Sequence, residues 1–235
     1  LSSKSLILCW ALSTSASGHG SLYFSNNFFS SEPALTPILI EQLTVLGFEN
    51  IVDTLSSKEV IAQDIAQYHG LVIRSRFSID KPFLQKAINL KFIARVGSGL
   101  ENIDLEAAAA MDIAVVAAPE GNSPAVGEHA LGMLLSLLNK LPQGNEQVRI
   151  GKWQREANRG EELGGKTIGI IGYGHTGKQF ARILAGFNVH VLCHDILNNM
   201  GDAYAKQVPL RTIHDQADVI SIHLPLNKST QQYVD

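Results

Sequence analysis

The sequence predicts an α/β protein of two domains, each built on a parallel sheet. Two observations carry this. Short apolar runs of strand length alternate with amphipathic stretches of helical spacing along most of the chain, as expected when helices cover both faces of a parallel sheet. The alternation breaks once, near residue 120, at a turn cluster followed by a long apolar-faced helix, and then resumes.

The elements follow in order. Leu22–Phe24 reads as a short first strand. Pro37–Leu46 is a helix with Ile38, Ile40, Leu43 and Leu46 at near-helical spacing and Gly47 as its stop. Ser57–Tyr68 is a second helix, and Leu71–Ile73 a buried strand ending in the polar Arg74-Ser75-Arg76. Asp80–Ile88 is a helix with an Asp cap and Pro82 in its first turn. Phe92–Val96 is a strand running into Gly97-Ser98-Gly99, Asp104–Met111 an alanine-rich helix, and Ile113–Ala117 a further strand. Pro119-Glu120-Gly121-Asn122 is the turn cluster. Pro124–Leu141 reads as one long helix closed by Pro142, with Val126, Ala130, Leu131, Leu134, Leu135 and Leu138 on a wide apolar face. A polar stretch over 151–165 leads to strand Ile168–Ile171, helix Thr176–Ala185, strand Val189–Cys193 and a third strand, Val219–His223. The first domain is therefore expected over 21–120 and the second over 121–235.

Bulk properties narrow the function. Of the 235 residues 45% are hydrophobic and 17% charged, ordinary for a globular protein. A net charge of −3 without a long basic run argues against nucleic acid as a partner. No apolar stretch reaches the roughly 18 residues of a membrane span. The two cysteines, Cys9 and Cys193, are far apart, which suits a reducing, cytoplasmic compartment better than a disulfide framework. His190, Cys193 and His194 could suggest a metal site, but they lie along one strand whose successive residues face opposite ways, and no second ligand pair completes a tetrahedron, so no metal is expected. Residues 1–20 begin without Met and carry Lys4, an apolar run from Leu6 to Leu12 and small residues after it, faintly like a signal peptide. They read as extraneous or disordered and are left out of the fold.

Gly172-Tyr173-Gly174-His175-Thr176-Gly177 fits G-x-G-x-x-G. The string alone is weak, because glycines cluster in many loops. Its setting is informative: an apolar strand enters it, a helix starts within it, and Asp195 follows eighteen residues after Gly177, just past the next strand. Gly172 permits the tight turn, Gly174 the approach of a pyrophosphate to the backbone, and Gly177 close packing of helix on strand. The helix amino terminus offers N–H groups and a positive dipole end. Asp195 would accept hydrogen bonds from the adenosine ribose and repel a 2'-phosphate. No Arg follows it to neutralise such a phosphate, so NAD is expected over NADP.

The residues around this loop resemble the D-isomer-specific 2-hydroxyacid dehydrogenases, and among them the 3-phosphoglycerate type. Arg95-Val96-Gly97-Ser98-Gly99-Leu100-Glu101-Asn102-Ile103-Asp104 is similar to the family's substrate-domain motif. Glu120-Gly121-Asn122-Ser123, with Val126 and Glu128, is similar to its entry into the interdomain helix. Gly160, Glu162-Leu163 and Lys166-Thr167 resemble the approach to the cofactor domain, and Ala217-Asp218-Val219-Ile220-Ser221-Ile222-His223-Leu224-Pro225 resembles its third strand. The motifs run in the family's order over 70–235.

The resemblance implies a flavodoxin-like substrate domain and an incomplete Rossmann NAD-binding domain. It implies that Gly97, Ser98 and Gly99 present N–H groups to a substrate carboxylate, with Ser98 also reaching the nicotinamide end of the cofactor. Arg74 and Ser75 resemble the strand end that meets a substrate phosphate, although Arg74 and Arg76 could equally be a solvated loop pair. His175 and Thr176 would place amides on the pyrophosphate. His223, Leu224, Pro225 and Thr230 would border the adenosine and its neighbouring phosphate, although His223 could also be a satisfied strand-end histidine. The partner implied is a small 2-hydroxy acid, 3-phosphoglycerate in serine biosynthesis, and the assembly a homodimer. Glyoxylate, lactate or formate dehydrogenases and non-catalytic, NAD-sensing corepressors share the scaffold. In the family an Arg, a Glu and a His that complete the chemistry lie downstream of the segment matched by Asn227–Asp235. The expectation is a first half of the cofactor domain with no catalytic residue among these 235, and a chain that is inactive or poorly soluble as written.

Overall fold

The computed structural model describes residues 21–25, 35–53, 55–227 and 229–234. The expectation for residues 1–20 lies outside them. The chain divides into two compact units, Leu1–Gly121 and Asn122–Asp235.

The first unit contains β1 (Ser21–Ser25), α1 (Leu35–Val45), β2 (Glu49–Asp53), α2 (Lys58–Asp64), β3 (Gly70–Ile73), α3 (Lys81–Lys86), β4 (Phe92–Arg95), α4 (Leu105–Ala110) and β5 (Ala114–Ala117). Its five strands are parallel in the order β2-β1-β3-β4-β5, the flavodoxin-like order. All residues of β3 and β4 are buried, which explains why they read as continuous apolar runs rather than alternating ones. Leu71, Ile73 and Ile93 join one core cluster with α2, α3 and α4, while Val72, Phe92 and Ala94 join a second with α1. Alternate residues of one strand thus feed two helix layers. Asp80 accepts the Phe83 N–H at 3.1 Å and Asp104 accepts the Ala107 N–H at 2.9 Å, so each carboxylate caps the helix it precedes. Strand β2 was not foreseen; three of its five residues are exposed and it carries no period-two pattern.

The second unit contains α5 (Ser123–Leu138), α6 (Leu141–Arg149), β6 (Thr167–Ile171), α7 (His175–Leu184), β7 (His190–His194), β8 (Lys206–Gln207), α8 (Leu210–Gln216) and β9 (Val219–Ile222). Two expectations are corrected here. The helix over Pro124–Leu141 is two helices: the chain breaks at Lys140, with φ of 50°, and Pro142 lies in the first turn of α6. Proline lacks only an N–H that a first turn leaves unpaired, so it opens a helix as readily as it closes one. The strand expected third is the fourth. Two residues, Lys206 and Gln207, form the third strand beside β7, and the order is β8-β7-β6-β9. The sheet therefore crosses from its first half to the opening strand of the second, and the switch point between β6 and β9 is present. Helix α5 packs on α7 at close range: a Cβ on Gly127 would lie 3.0 Å from Ile183 Cδ1 and 3.3 Å from the Phe180 nitrogen. Ile168 and Ile170 of β6, Cys193 of β7, Phe180 and Leu184 of α7 and Leu134 of α5 share one buried core cluster.

Candidate functional site

In the first unit, the residues singled out in the sequence stand where β3 and β4 end. Arg74 and Ser75 follow β3 and are exposed. The Gly97-Ser98-Gly99 loop follows β4. The Gly97 carbonyl accepts the Ala118 N–H at 2.8 Å, and a Cβ on Gly97 would lie 2.7 Å from an Arg95 guanidinium nitrogen. Asn102 ties the two strand ends together. Its Nδ2 donates to the carbonyls of Arg74 at 3.3 Å and Phe77 at 3.2 Å, and its Oδ1 accepts from Arg95 Nε at 3.4 Å. Arg76 is not a solvated loop residue: it donates to the Asp53 and Ser56 carbonyls and pairs with the Asp53 carboxylate at 3.6 Å.

Arg95 is the residue the sequence reading passed over. It is 8% exposed, yet its hydrogen bonds go to the neutral acceptors Asn102 Oδ1 and, at 3.1 Å, the Val96 carbonyl. Burial pushes its guanidinium pKa down; Glu101 opposes that and Arg74 adds to it. A guanidinium keeps its charge in proteins. The strand ends thus hold a buried cation, with a second cation, Arg74, and one carboxylate, Glu101, within electrostatic reach. The signal in the sequence was an Arg closing an apolar run immediately before a glycine loop.

In the second unit, β6 runs into the glycine loop. The Gly172 N–H donates to the His194 carbonyl at 2.9 Å, and φ is +89°. A Cβ there would lie 2.6 Å from the His223 carbonyl oxygen, so backbone packing and backbone angle both demand glycine. A Cβ on Gly177 would lie 2.3 Å from the Gly172 carbonyl oxygen, for the close contact of α7 with the loop. Gly174 differs. It is the N-cap of α7, it supplies no side-chain cap, and a Cβ on it would meet nothing within 4 Å. Nothing in the chain requires glycine there. The N–H groups of His175, Thr176 and Gly177 open the helix and have no intrahelical acceptor. An open approach to a line of such donors fits a pyrophosphate.

Asp195 follows β7, and both its oxygens take backbone donors: Oδ2 from Tyr173 at 2.7 Å and Oδ1 from Leu197 at 3.0 Å. Each carboxylate oxygen keeps capacity for a further donor. On the other side of β6, the His223 N–H donates to the Ile171 carbonyl at 2.7 Å, and Leu224 reaches toward Gly172. The His223 ring lies 2.9 Å from Ser221 Oγ and beside Phe180, with burial holding its pKa below the usual imidazole value. Gly172, Gly174, His175, Thr176, Gly177, Asp195, His223 and Leu224 are therefore assembled around the carboxyl end of β6. Pro225 and Thr230 belong to the turn beyond: the Thr230 hydroxyl donates to the Pro225 carbonyl and accepts the Asn227 N–H at 2.9 Å.

A cavity of about 1150 Å³ that shares His223 with this site is lined by α5, Phe180 and the edge strand β9, with His129, Met133, Leu137, Ile220 and Ile222 among its walls. It does not include the glycine loop. No group of three or more His, Cys, Asp or Glu among the described residues could hold a metal ion, and no helix among them is long and apolar enough to cross a membrane.

A parallel strand, glycine loop, helix and following acid at a topological switch point define a dinucleotide-binding α/β protein. Residues 131–235 match the NAD binding domain of the D-isomer-specific 2-hydroxyacid dehydrogenase family. The chain is 37% identical over 194 residues to the D-3-phosphoglycerate dehydrogenase of Archaeoglobus fulgidus, covering 81% of this chain and 37% of that protein. It is 33% identical over 178 residues to the hydroxypyruvate reductase of Thermotoga maritima, covering 76% of this chain and 58% of that one. The chain thus spans less than two thirds of either relative. A solved structure of NAD-dependent formate dehydrogenase from Staphylococcus aureus in complex with NAD superposes with a TM-score of 0.73 at 28% identity, covering 92% of this chain and 68% of the other.

Proposed function

We propose that this chain is the substrate-binding and cofactor-binding part of an NAD-dependent D-2-hydroxyacid dehydrogenase that acts on 3-phosphoglycerate, in serine biosynthesis, as a homodimer. The observation that carries the cofactor half is Gly174, a glycine that the fold does not need, standing before three amides open to a phosphate. Gly172, Gly174 and Gly177 shape the loop, His175 and Thr176 donate amides to the pyrophosphate, and Asp195 accepts the ribose hydroxyls. His223, Leu224, Pro225 and Thr230 border the adenosine. When bound, NAD supplies the hydride acceptor for the substrate C2. The chain's own residues bind and orient. Gly97, Ser98 and Gly99 receive the substrate carboxylate, with Ser98 at the nicotinamide end. Arg74, Ser75 and the buried Arg95 receive the phosphate, for which a fixed, always-charged guanidinium is well suited. No residue of this chain is assigned the proton transfer.

The test is a thermal-shift titration with NAD and, separately, NADP. A ligand that binds only the folded state raises the melting temperature with concentration. The expected result is a saturable shift with NAD, weaker with NADP, and lost in Asp195→Ala. A cooperative melt unmoved by NAD would overturn the cofactor assignment. Retention of the NAD shift in Asp195→Ala would overturn the role of Asp195.

A further inference from the structure

Tyr173, the second residue of the glycine loop, turns its side chain into the core. Its side chain is wholly buried, and its hydroxyl donates to Asp202 Oδ1 at 2.8 Å. The same Asp202 oxygen accepts the N–H groups of Tyr204 at 2.8 Å and Ala205 at 3.3 Å. The Tyr173 backbone N–H donates to Asp195. One residue of the loop therefore grips the segment after β7 twice, once at Asp195 and once at Asp202. Between those points the segment is braced again: Gln207 accepts the Met200 N–H and donates to the Leu197 carbonyl, each at 2.7 Å.

We infer that the Tyr173–Asp202 hydrogen bond is a positioning latch that fixes the Asp195 carboxylate and so sets the discrimination between NAD and a 2'-phosphorylated dinucleotide. The inference rests on the cofactor reading proposed above. A carboxylate near the ribose repels a 2'-phosphate only while it stays aimed there; one able to swing aside admits the phosphate among solvated groups. Tyr173 and Leu197 amides hold Asp195 from two sides. The Tyr173 amide can do so only if residue 173 and the segment 195–202 keep their spacing, and the hydroxyl bond to Asp202 closes that frame. The Tyr173 ring lies in the core, and Asp202 Oδ1 is taken by the Tyr173 hydroxyl and two backbone amides. Tyr173 and Asp202 act through Asp195.

Tyr173→Phe keeps the ring in the core and leaves Asp202 its two amide donors, so no buried group is orphaned. Fluorescence titration with NADH and NADPH is the first measurement. The expected result is a fall of about tenfold in the ratio of NADPH to NADH dissociation constants, equivalent to about 1.4 kcal/mol, with little change in melting temperature. Asp202→Asn, which keeps the acceptor oxygen, should retain the wild-type ratio, and Asp202→Ala should lose it. This pair carries the test if Tyr173→Phe does not fold. A parallel loss of affinity for both dinucleotides with an unchanged ratio is what a merely structural role gives, and it overturns the proposal. Amide exchange of the ligand-free chain tests the latch independently of binding. Faster exchange at Tyr173 and Leu197, with β6 and the middle of α7 still protected, is expected in Tyr173→Phe and Asp202→Ala; unchanged exchange at those two amides overturns the latch. A wild-type chain that binds neither dinucleotide overturns the cofactor reading, and with it the discrimination, even where the exchange pattern shows the frame in place.

Discussion

Gly174→Ala separates folding from binding at the loop. The residue has φ −81° and ψ −153°, extended angles that alanine adopts without strain. A Cβ there would meet nothing within 4 Å. The cost to the fold is confined to alanine's weakness at a helix N-cap, below about 1 kcal/mol. Its neighbours set the contrast, because a Cβ on Gly172 or Gly177 would strike a backbone oxygen at 2.6 or 2.3 Å. A pyrophosphate seated on the first-turn amides must come within 2.7–3.2 Å of their nitrogens, and a methyl on the N-cap occupies that approach. Loss of one charge-assisted bond is worth about 1.5–3 kcal/mol, or about a ten- to hundredfold rise in dissociation constant. Urea unfolding gives the stability, and calorimetric titration with NADH gives the affinity. Expected are a nearly unchanged unfolding free energy and an affinity at least about tenfold weaker. A Gly174→Ala chain that is as stable as wild type and binds NADH equally well would refute the placement of the phosphates on α7.

Three further outcomes are expected. Arg95→Met keeps the length of the stem but removes the buried charge; stabilisation by 3-phosphoglycerate in a thermal-shift titration should weaken by about tenfold in apparent dissociation constant, and an undiminished response would remove Arg95 from the anion site. His223 should make stability pH-dependent. Burial lowers its folded pKa from 6.5, so the unfolded chain takes up the proton more readily, and stability is full above about pH 6.5 and lost as pH falls through the lowered folded value. The urea midpoint of the wild type should therefore drop further than that of His223→Gln between about pH 7.5 and pH 5.5; equal drops would show that the ring does not carry the effect. Burial pushes the Cys193 thiol up to about 11, and it lies wholly inside the core, so iodoacetamide should leave it unmodified until the chain unfolds. Peptide mass spectrometry of Cys193 reads this directly, and labelling of the native chain would contradict the burial.

What the sequence disclosed was local. Strands β3 and β4 are continuous apolar runs because helices cover both their faces, and that composition survives without any tertiary knowledge. Asp80 and Asp104 cap the helices they immediately precede, so their positions were legible too. Gly172, Gly174, Gly177 and Asp195 were legible as a spacing. What was hidden depends on contacts distant in sequence. Strand β8 has two residues and therefore no period to read, which displaced the count of strands and hid the switch point at β9. Pro142 misled on both boundary and element, because α5 already ends at Leu138 and the proline lies in the first turn of α6. Arg95 gave no sign in its own identity that it was buried. Asn102, seven residues on, the Val96 carbonyl and the Glu101 carboxylate make that burial tolerable.

The glycines that recur in both units answer to different constraints, and the difference is what assigns function. Gly172 and Gly177 are demanded by the chain itself, since backbone oxygens occupy the space a side chain would need. Such glycines would be required even in a loop that bound nothing, and they carry no evidence of a ligand. Gly174 is not demanded by the chain, and its openness faces donors that the helix cannot satisfy from within. The same distinction applies to the charges. Arg76 is consumed by Asp53 and Ser56 and holds the end of β2 in place. Arg95 is buried too, but its hydrogen-bond acceptors are neutral, and the nearby Glu101 carboxylate favours its charged form without a hydrogen bond to it. A functional reading rests on what the fold leaves unsatisfied at the carboxyl ends of its parallel strands, where open α/β sheets bind ligands. At the carboxyl end of β6 that remainder is the row of first-turn amides of α7, which suits the pyrophosphate proposed there.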